Sequence, residues 1–464
     1  MRFLFINVQG EIKFYSRKKS GVEVSAPFAP PLGLLSLAQI LRNEGHTVSV
    51  LEYFIESNPK DQIKQKLNSV DAVGLSMSTA WRTDAADVAT FIKQQNPSIP
   101  VLIGGPHCIL HPDKMMQEIK NADIGVEGEA EPIIKDLVLA LEGKKPYSEI
   151  PGVRYRTPDQ EIRHGPPAQL TTDLDALPFP ARDLVEQYEY GKMKNTYLFK
   201  PRLTSILTSR GCPFRCRFCA RYADPYKTYR QRSAENVVAE ILEIQEKYRT
   251  LYVADENFLT DVKRAHKIMD LLIKNKGDLD IIIYGTRVDS AERGLYQKMK
   301  KAGVTHITYG IESGNQDILD FYNKQITLEQ IRNAVQLSNE MNFITTGQFI
   351  LGAPNETKEQ IQRTIDFACS LLLDMAIFFP LYYMHSSDLY REAIEKGLIH
   401  QDKDEYSVVS DSRRGLGNFT QQELEQFCSQ AVKRFYYRPR YLLWEFYKSI
   451  LRRDFRILRT GITQ

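Results

Sequence analysis

Residues 208–222 read TSRGCPFRCRFCARY, and three of the chain's six cysteines, Cys212, Cys216 and Cys219, fall inside eight of those residues. Thiolates at i, i+4 and i+7 in a loop can converge on one iron–sulfur cubane, whose irons favour soft sulfur ligands. No fourth cysteine follows nearby. One iron of a four-iron cluster would therefore keep a coordination position open, as a catalytic zinc does for its substrate. Arg210, Arg215, Arg217 and Arg221 would lower the thiol pKa values and offset the cluster's negative charge. The competing readings are a zinc loop or a chance grouping of buried thiols. A structural zinc would show paired C-x2-C arms and a fourth ligand, and neither is visible.

Such a loop needs a scaffold, and 464 residues are enough for two or three domains with large cores. The formal charge of +3 does not point to nucleic acid as a partner. The opening MRFLFINVQGEIKFY has too short an apolar run for a secretory signal. The run LLLDMAIFFPLYYM is broken by Asp374 and Pro380, so no spanning helix is expected. A cytoplasmic, thiol-reducing location is the expectation, and there clustered cysteines mean metal or catalysis more often than disulfides.

The first part alternates strand-like runs (RFLFINV, TVSVLEY, DAVGLSMS, PVLIGGPH, ADIGVEGE) with amphipathic helices. This order predicts an α/β domain over residues 1–143, a doubly wound parallel sheet of the flavodoxin or Rossmann kind. In its first helix Leu34, Leu37, Ala38 and Leu41 share a face, and Gly45 suits the stop. Residues 144–200 are rich in Pro and Asp and read as a linker with a small hairpin. Over 201–400 the alternation resumes for about six βα steps, enough for a partial TIM-like barrel, with the cysteine loop after its first strand. A small helical segment, 401–464, closes the chain. Its RFYYRPRYLLWEFY would pack on the barrel or lie against a lipid surface.

The signature CPFRCRFC, with an aromatic before the last cysteine, resembles that of the radical S-adenosylmethionine superfamily. The stretches VADENFLTD, YGTRVD, THITYGIESG and FILGAPNET resemble that family's later strand ends, in order. The resemblance implies a partial barrel holding a 4Fe-4S cluster on Cys212, Cys216 and Cys219. The open iron would bind S-adenosylmethionine, whose reductive cleavage yields a 5′-deoxyadenosyl radical. It further implies Phe218 near the adenine, Asp255 and Glu256 at the methionine or ribose end, and Arg287 and Glu312 at the carboxylate and amino groups. An amino-acid zwitterion calls for one cation and one anion. The bland alternative pairs Arg287 with Glu312 as a structural salt bridge. GAPNET would either cap the next helix through Asn355 or approach the adenine.

The front loops PPLGLLSLA, SMSTA, IGGPHC and VEGEAE resemble those of the cobalamin-binding domain that precedes one large class of this superfamily. The implied cobalamin contacts are Pro31, Gly33, Ser76, Ser78, Thr79, Gly104, Gly105, Pro106, Glu127, Gly128 and Glu129. No D-x-H-x-x-G occurs, so no histidine is expected to displace the lower axial base; His107 reads as a loop histidine near the corrin edge. A flavodoxin-like domain binding a nucleotide, or nothing, is the alternative.

With both cofactors, the resemblance implies methylation of an unactivated carbon, methylcobalamin donating the methyl group, on a lipid or another natural product. The alternatives are a cyclase or ring-rearrangement enzyme on the same cofactors, or a non-catalytic cobalamin sensor. A methylthiotransferase would need further front-domain cysteines, and only Cys108 lies there. The expected partners are a small-molecule or lipid substrate, a low-potential donor such as flavodoxin or ferredoxin, and a peripheral membrane contact through the C-terminal segment. Tyr382, Tyr383, His385 and Ser386 would either shape the substrate pocket or form a turn.

Overall fold

The computed structural model describes residues 1–13, 23–25, 28–191, 199–220, 228–275, 277–400 and 406–463, with the side chains of 11–13, 23–25 and 460–463 outside that description. Contacts divide the chain into two compact units, Met1–Met193 and Lys194–Gln464.

In the first unit β1 (Arg2–Val8) lies between β2 (Thr47–Glu52) and β3 (Ala72–Met77), followed outward by β4 (Val101–Gly104) and β5 (Ile124–Val126), all parallel. Six of the seven β1 residues are buried, as expected of a central strand covered on both faces. The order 2-1-3-4-5 reverses direction between β1 and β3, which opens a crevice outside their carboxyl ends. The hairpin expected in the linker is formed by β6 (Val153–Arg156) and β7 (Ile162–His164). β6 pairs antiparallel with β5, so the hairpin extends this sheet.

Helices α1 (Leu32–Asn43), α2 (Pro59–Leu67), α3 (Arg82–Gln95), α4 (Pro106–Leu110), α5 (Pro112–Glu118) and α6 (Ile134–Leu141) complete the unit. α1 buries Leu34, Leu35, Ala38, Ile40 and Leu41, each burial contributing about 1–3 kcal/mol. Leu37 is only half-buried, so the core-facing stripe is rotated toward Leu35 and Ile40. Gly45 ends the helix at φ +83, where a Cβ would be strained.

In the second unit β8 (Leu203–Ile206), β9 (Thr250–Val253), β10 (Asp280–Thr286), β11 (Val304–Glu312), β12 (Ile344–Leu351) and β13 (Met375–Pro380) form one parallel sheet in chain order. β8 and β13 each have a single neighbour in it, so the barrel is partial. Helices α7 (Ala234–Lys247), α8 (Val262–Lys274), α9 (Arg293–Ala302), α10 (Gln316–Phe321), α11 (Leu328–Glu340) and α12 (Lys358–Ser370) provide the crossovers. Ser233, Asp261, Thr327 and Thr357 cap four of them by accepting from the third residue of each helix.

Beyond β13 comes α13 (Asp388–Glu395), after which residues 407–409 return to pair with 382–384. The terminal helices are α14 (Gln421–Tyr436), α15 (Pro439–Arg452) and α16 (Arg456–Thr463). α15 reaches the amino ends of the strands, where the Tyr441 hydroxyl donates to the Asp374 carbonyl at 2.7 Å and Arg452 donates to the Phe343 carbonyl at 2.7 Å.

Candidate functional site

β8 delivers the chain to the cysteine loop, and Asp255 fixes the approach. Its carboxylate accepts from the Thr208 N–H at 2.6 Å, the Ser209 hydroxyl at 2.6 Å and the Thr208 hydroxyl. Arg264 lies 3.9 Å away and donates to the Thr208 carbonyl at 2.9 Å. Asp255, expected at the methionine or ribose end of S-adenosylmethionine, anchors the loop's foundation through two hydroxyls and an N–H. Gly211 follows at φ +82, and a Cβ there would lie 1.9 Å from the Thr228 carbonyl oxygen, so only glycine turns the chain toward Cys212.

Cys212, Cys216 and Cys219 are half-buried, and none is in a disulfide. Burial pushes the Cys212 thiol up; Cys219 and Glu256 add to the rise, while the Phe214 N–H and Arg287 oppose it. Burial likewise raises Cys216, to about 11, against the pull of Lys324. At Cys212 and Cys216 burial therefore outweighs the neighbouring cations, and the arginine among them is Arg287, not one of the loop. Arg217 is turned to Glu392, with N–O distances of 2.6 and 2.7 Å, and stacks on Phe321. Arg221 lies outside the described residues.

The cations that act on these thiols come from later in the barrel, Arg287 just after β10 and Lys324 in the loop after α10. Arg287 follows β10, stacks 3.8 Å from the Phe214 ring centre, pairs with Asp289 at 2.7 Å and donates to the Lys324 carbonyl at 2.8 Å. Glu312 ends β11 at φ +67 and pairs with Lys324, not with Arg287, at 2.7 Å. Gly310 makes room for that pair, since a Cβ there would stand 2.5 Å from Glu312 Oε1 and 3.0 Å from Lys324 Nζ. Sequence reasoning missed Lys324. The available signal was that it is the one basic residue between Glu312 and Arg332.

Phe218 packs edge-on against Tyr322 at 5.1 Å, with Lys324 Nζ 6.0 Å from its ring. Glu256 is half-buried beside β10, its carbonyl 3.2 Å from where a Gly285 Cβ would stand. In GAPNET the helix cap is Thr357 and not Asn355, which is exposed. Glu356 folds inward and accepts from the N–H groups of Gly352 at 2.6 Å and Ala353 at 3.1 Å. Tyr383 is a core residue donating to the Leu416 carbonyl at 2.7 Å; His385 and Ser386 form the turn before α13.

The front-domain residues gather along the carboxyl edge of the first sheet. Pro31 precedes α1, Gly33 lies in its first turn, Ser76 lies in β3, Ser78 and Thr79 follow it, Gly104 ends β4, Gly105 and Pro106 lead into α4, and Glu127, Gly128 and Glu129 follow β5. A Cβ on Gly33 or Gly104 would meet nothing within 4 Å, so that edge is open to a large planar group. Gly105, at φ +100, would set a Cβ 2.8 Å from the Met77 carbonyl oxygen.

Several polar groups are already committed. Ser76 accepts from Gln9 at 3.3 Å, Glu127 accepts from Arg154 at 3.0 Å, and Glu129 accepts from the Thr171 N–H at 2.8 Å. Gln9, at the end of β1, was missed by sequence reasoning, although the switch point predicts a contact there. His107 is fully buried in α4 and not on a loop, its ring nitrogens 3.3 Å from the Thr79 hydroxyl and 3.1 Å from Glu118. Its ring is thus enclosed in the core beside Thr79 and Glu118.

The donor chemistry fits the implied groups. Three soft thiols in one loop, with Arg287 acting on Cys212 and Cys216 and Lys324 on Cys216, suit an anionic iron–sulfur cluster, and open glycines at a switch point suit a corrin. No three His, Cys, Asp or Glu side chains among the described residues gather tightly enough for one metal ion. A cubane offers each thiolate its own iron and does not need that arrangement.

Comparison with known proteins places this geometry among relatives. Residues 206–368 match the family described as the radical SAM superfamily, and residues 19–138 match the B12 binding domain. An uncharacterised methyltransferase of Pyrococcus horikoshii is 31% identical over 424 residues, 90% of each chain. The anaerobic magnesium-protoporphyrin IX monomethyl ester cyclase of Rubrivivax gelatinosus is 28% identical across 98% of this chain and 81% of its own. Among solved structures, the radical S-adenosylmethionine methyltransferase TsrM from Kitasatospora setae, with cobalamin and a 4Fe-4S cluster bound, superposes with a TM-score of 0.70 at 20% identity. That match covers 85% of this chain and 75% of TsrM.

Proposed function

The chain belongs to the radical SAM superfamily and carries a B12-binding domain ahead of its barrel, and from that premise we propose that it is a cobalamin-dependent methyltransferase acting on an unactivated carbon of a small molecule. The observation that carries the reading is Cys216 beside the buried Lys324–Glu312 pair, with Cys212 and Cys219 on the same loop, at the carboxyl end of a six-stranded parallel sheet. Cys212, Cys216 and Cys219 would hold a 4Fe-4S cluster, and the crevice beside Ser76, Gly104 and Gly105 would hold cobalamin. When bound, the cluster supplies the electron that splits S-adenosylmethionine, and cobalamin carries the methyl group.

The protein's own part is binding, orientation and shielding. Glu312 offers a carboxylate to the amino group of S-adenosylmethionine, and Arg287 a guanidinium to its carboxylate. Phe218 offers a flat face to the adenine, and Glu256 reaches the ribose end. Asp255 acts one step back, holding Thr208 and Ser209 so that the thiols are aimed. Pro31, Gly33, Ser78, Thr79, Pro106, Glu127, Gly128 and Glu129 line the cobalamin edge, the glycines by letting the backbone approach.

The substrate class we favour is a lipid or another large natural product, with a flavodoxin or ferredoxin as reductant and peripheral membrane contact through the C-terminal segment. A cyclase is the second reading, favoured by the Rubrivivax enzyme's match across 98% of this chain. Anaerobic reconstitution with iron, sulfide and hydroxocobalamin, followed by mass spectrometry under reduction, separates the two. 5′-Deoxyadenosine together with S-adenosylhomocysteine supports the methyltransferase. Deoxyadenosine with bound cobalamin and no S-adenosylhomocysteine supports the cyclase.

A further inference from the structure

An amphipathic helix on a globular domain turns its apolar stripe inward, and α15 does the reverse. It buries Tyr441, Glu445, Lys448 and Ser449 and tucks in the side chain of Arg452, while presenting Leu442, Leu443, Phe446, Tyr447, Ile450 and Leu451 to solvent. Leu443 is 73% exposed. Of fourteen exposed large hydrophobic side chains among the described residues, seven fall between Leu442 and Phe455, so they form one continuous patch rather than a scatter.

The orientation is locked from inside. Arg452 pairs with the fully buried Asp374 at 2.6 Å, and Lys448 donates to the Asn339 carbonyl at 3.1 Å and to Asn342 Oδ1 at 3.0 Å. Rolling the helix over to hide its leucines would strand a buried carboxylate, a heavy penalty.

Along α15 and the turn after it, every exposed charged residue is basic. Arg440, Arg453 and Arg459 are exposed, while Glu445 is buried and Asp454 is half-buried and paired with Arg456 at 2.6 Å. Fourteen residues of helix span about 21 Å, too short to cross a bilayer of about 30 Å but suited to lying in its interface. A two-fold second copy would set arginine against arginine, whereas anionic headgroups complement them.

We propose that the outward face of α15, continued by Phe455 and rimmed by Arg440, Arg453 and Arg459, docks on an anionic lipid surface. This rests on the reading of the C-terminal segment as a peripheral membrane contact, and it specifies the face, the lipid charge and the consequence. α15 is tied to Asn342, Phe343 and Asp374, each just ahead of β12 or β13, at the amino ends of the strands. The cysteine loop leaves the carboxyl end of β8. The lipid surface therefore meets the barrel at the end opposite the thiols, and α15 tethers the enzyme without feeding substrate to them.

The test is flotation of the anaerobically purified full-length chain with phosphatidylcholine vesicles, with and without phosphatidylglycerol. The expected result is at least about tenfold more floated protein with phosphatidylglycerol at low salt, and loss of flotation in Leu443→Glu/Phe446→Glu with an unchanged thermal melt. If the unaltered chain floats with neither vesicle, the membrane-contact reading itself falls. Flotation that persists in the double variant overturns the assignment to α15 while leaving membrane contact standing, and flotation indifferent to phosphatidylglycerol overturns the anionic partner. If light scattering shows a dimer that the double variant turns into a monomer, a second copy is the occupant and the proposal falls.

Discussion

Lys324 Nζ lies 2.7 Å from Glu312 Oε1, and each side chain is only 8% exposed. The pair is held by backbone in a costly region: Glu312, Asn323 and Gln325 all have positive φ, and Arg287 clamps the Lys324 carbonyl at 2.8 Å. A buried pair set in strained backbone beside Cys216 reads as a constructed site.

Replacing Lys324 with Met leaves the Glu312 carboxylate buried without its cation. The expected loss is about 3–5 kcal/mol of stability in urea unfolding. Adding Glu312→Gln in the same chain should recover most of it, because no buried charge then remains. Equal loss in the single and double variants would show that packing, not charge, makes the contribution.

Cys216→Ala should abolish the broad visible absorbance of the reconstituted cluster and the formation of 5′-deoxyadenosine. Hydroxocobalamin binding, read by its absorbance shift, should be unchanged, since Cys216 belongs to the second unit. Full cleavage activity in this variant would refute the ligand assignment.

Much of this was legible because its signals are local. Three cysteines at fixed spacing and the period switch between strand and helix survive in any short window, and the six strands of the second sheet follow from them. What was not legible depends on partners far along the chain. Asp255 looks like a ligand contact until Thr208 and Ser209 are seen around it, and Glu312 needs the left-handed turn at Asn323–Gln325 to meet Lys324. His107 sits in a loop-like GGPHC string, yet Glu118, eleven residues on, draws it into the core. For α15 both directions stayed open, since periodicity reveals an apolar face but not which way it points.

Gly105→Ala should weaken cobalamin binding. The added Cβ meets the Met77 carbonyl oxygen at 2.8 Å with φ at +100, a strain of about 1–3 kcal/mol at the loop after β4. Absorbance titration with hydroxocobalamin should show affinity falling by about tenfold or more, while Gly33→Ala, where a Cβ meets nothing within 4 Å, should change the fold's stability little.

Burial raises the Glu356 carboxyl to about 7 despite the N–H groups of Gly352 and Ala353. A raised carboxyl binds its proton more tightly in the folded chain than in the unfolded one. Its stabilising contribution is therefore complete below the unfolded pKa of about 4.3 and is lost as pH rises through about 7, by about 3 kcal/mol in all. Urea unfolding of the unaltered chain and Glu356→Gln, compared between about pH 5 and 7, should show a difference that shrinks steadily with pH. A constant difference would mean that Glu356 does not titrate in that window.

The burial that raises Cys216 to about 11 also decides how the protein waits for its metal. At neutral pH only about one such thiol in ten thousand is a thiolate, and the thiolate is the form that attacks disulfides and peroxides. The Cys216 thiol is thus chemically quiet, and an incoming iron must itself drive off its proton. Protection of the Cys216 thiol before loading and release of its proton on loading follow from one and the same burial.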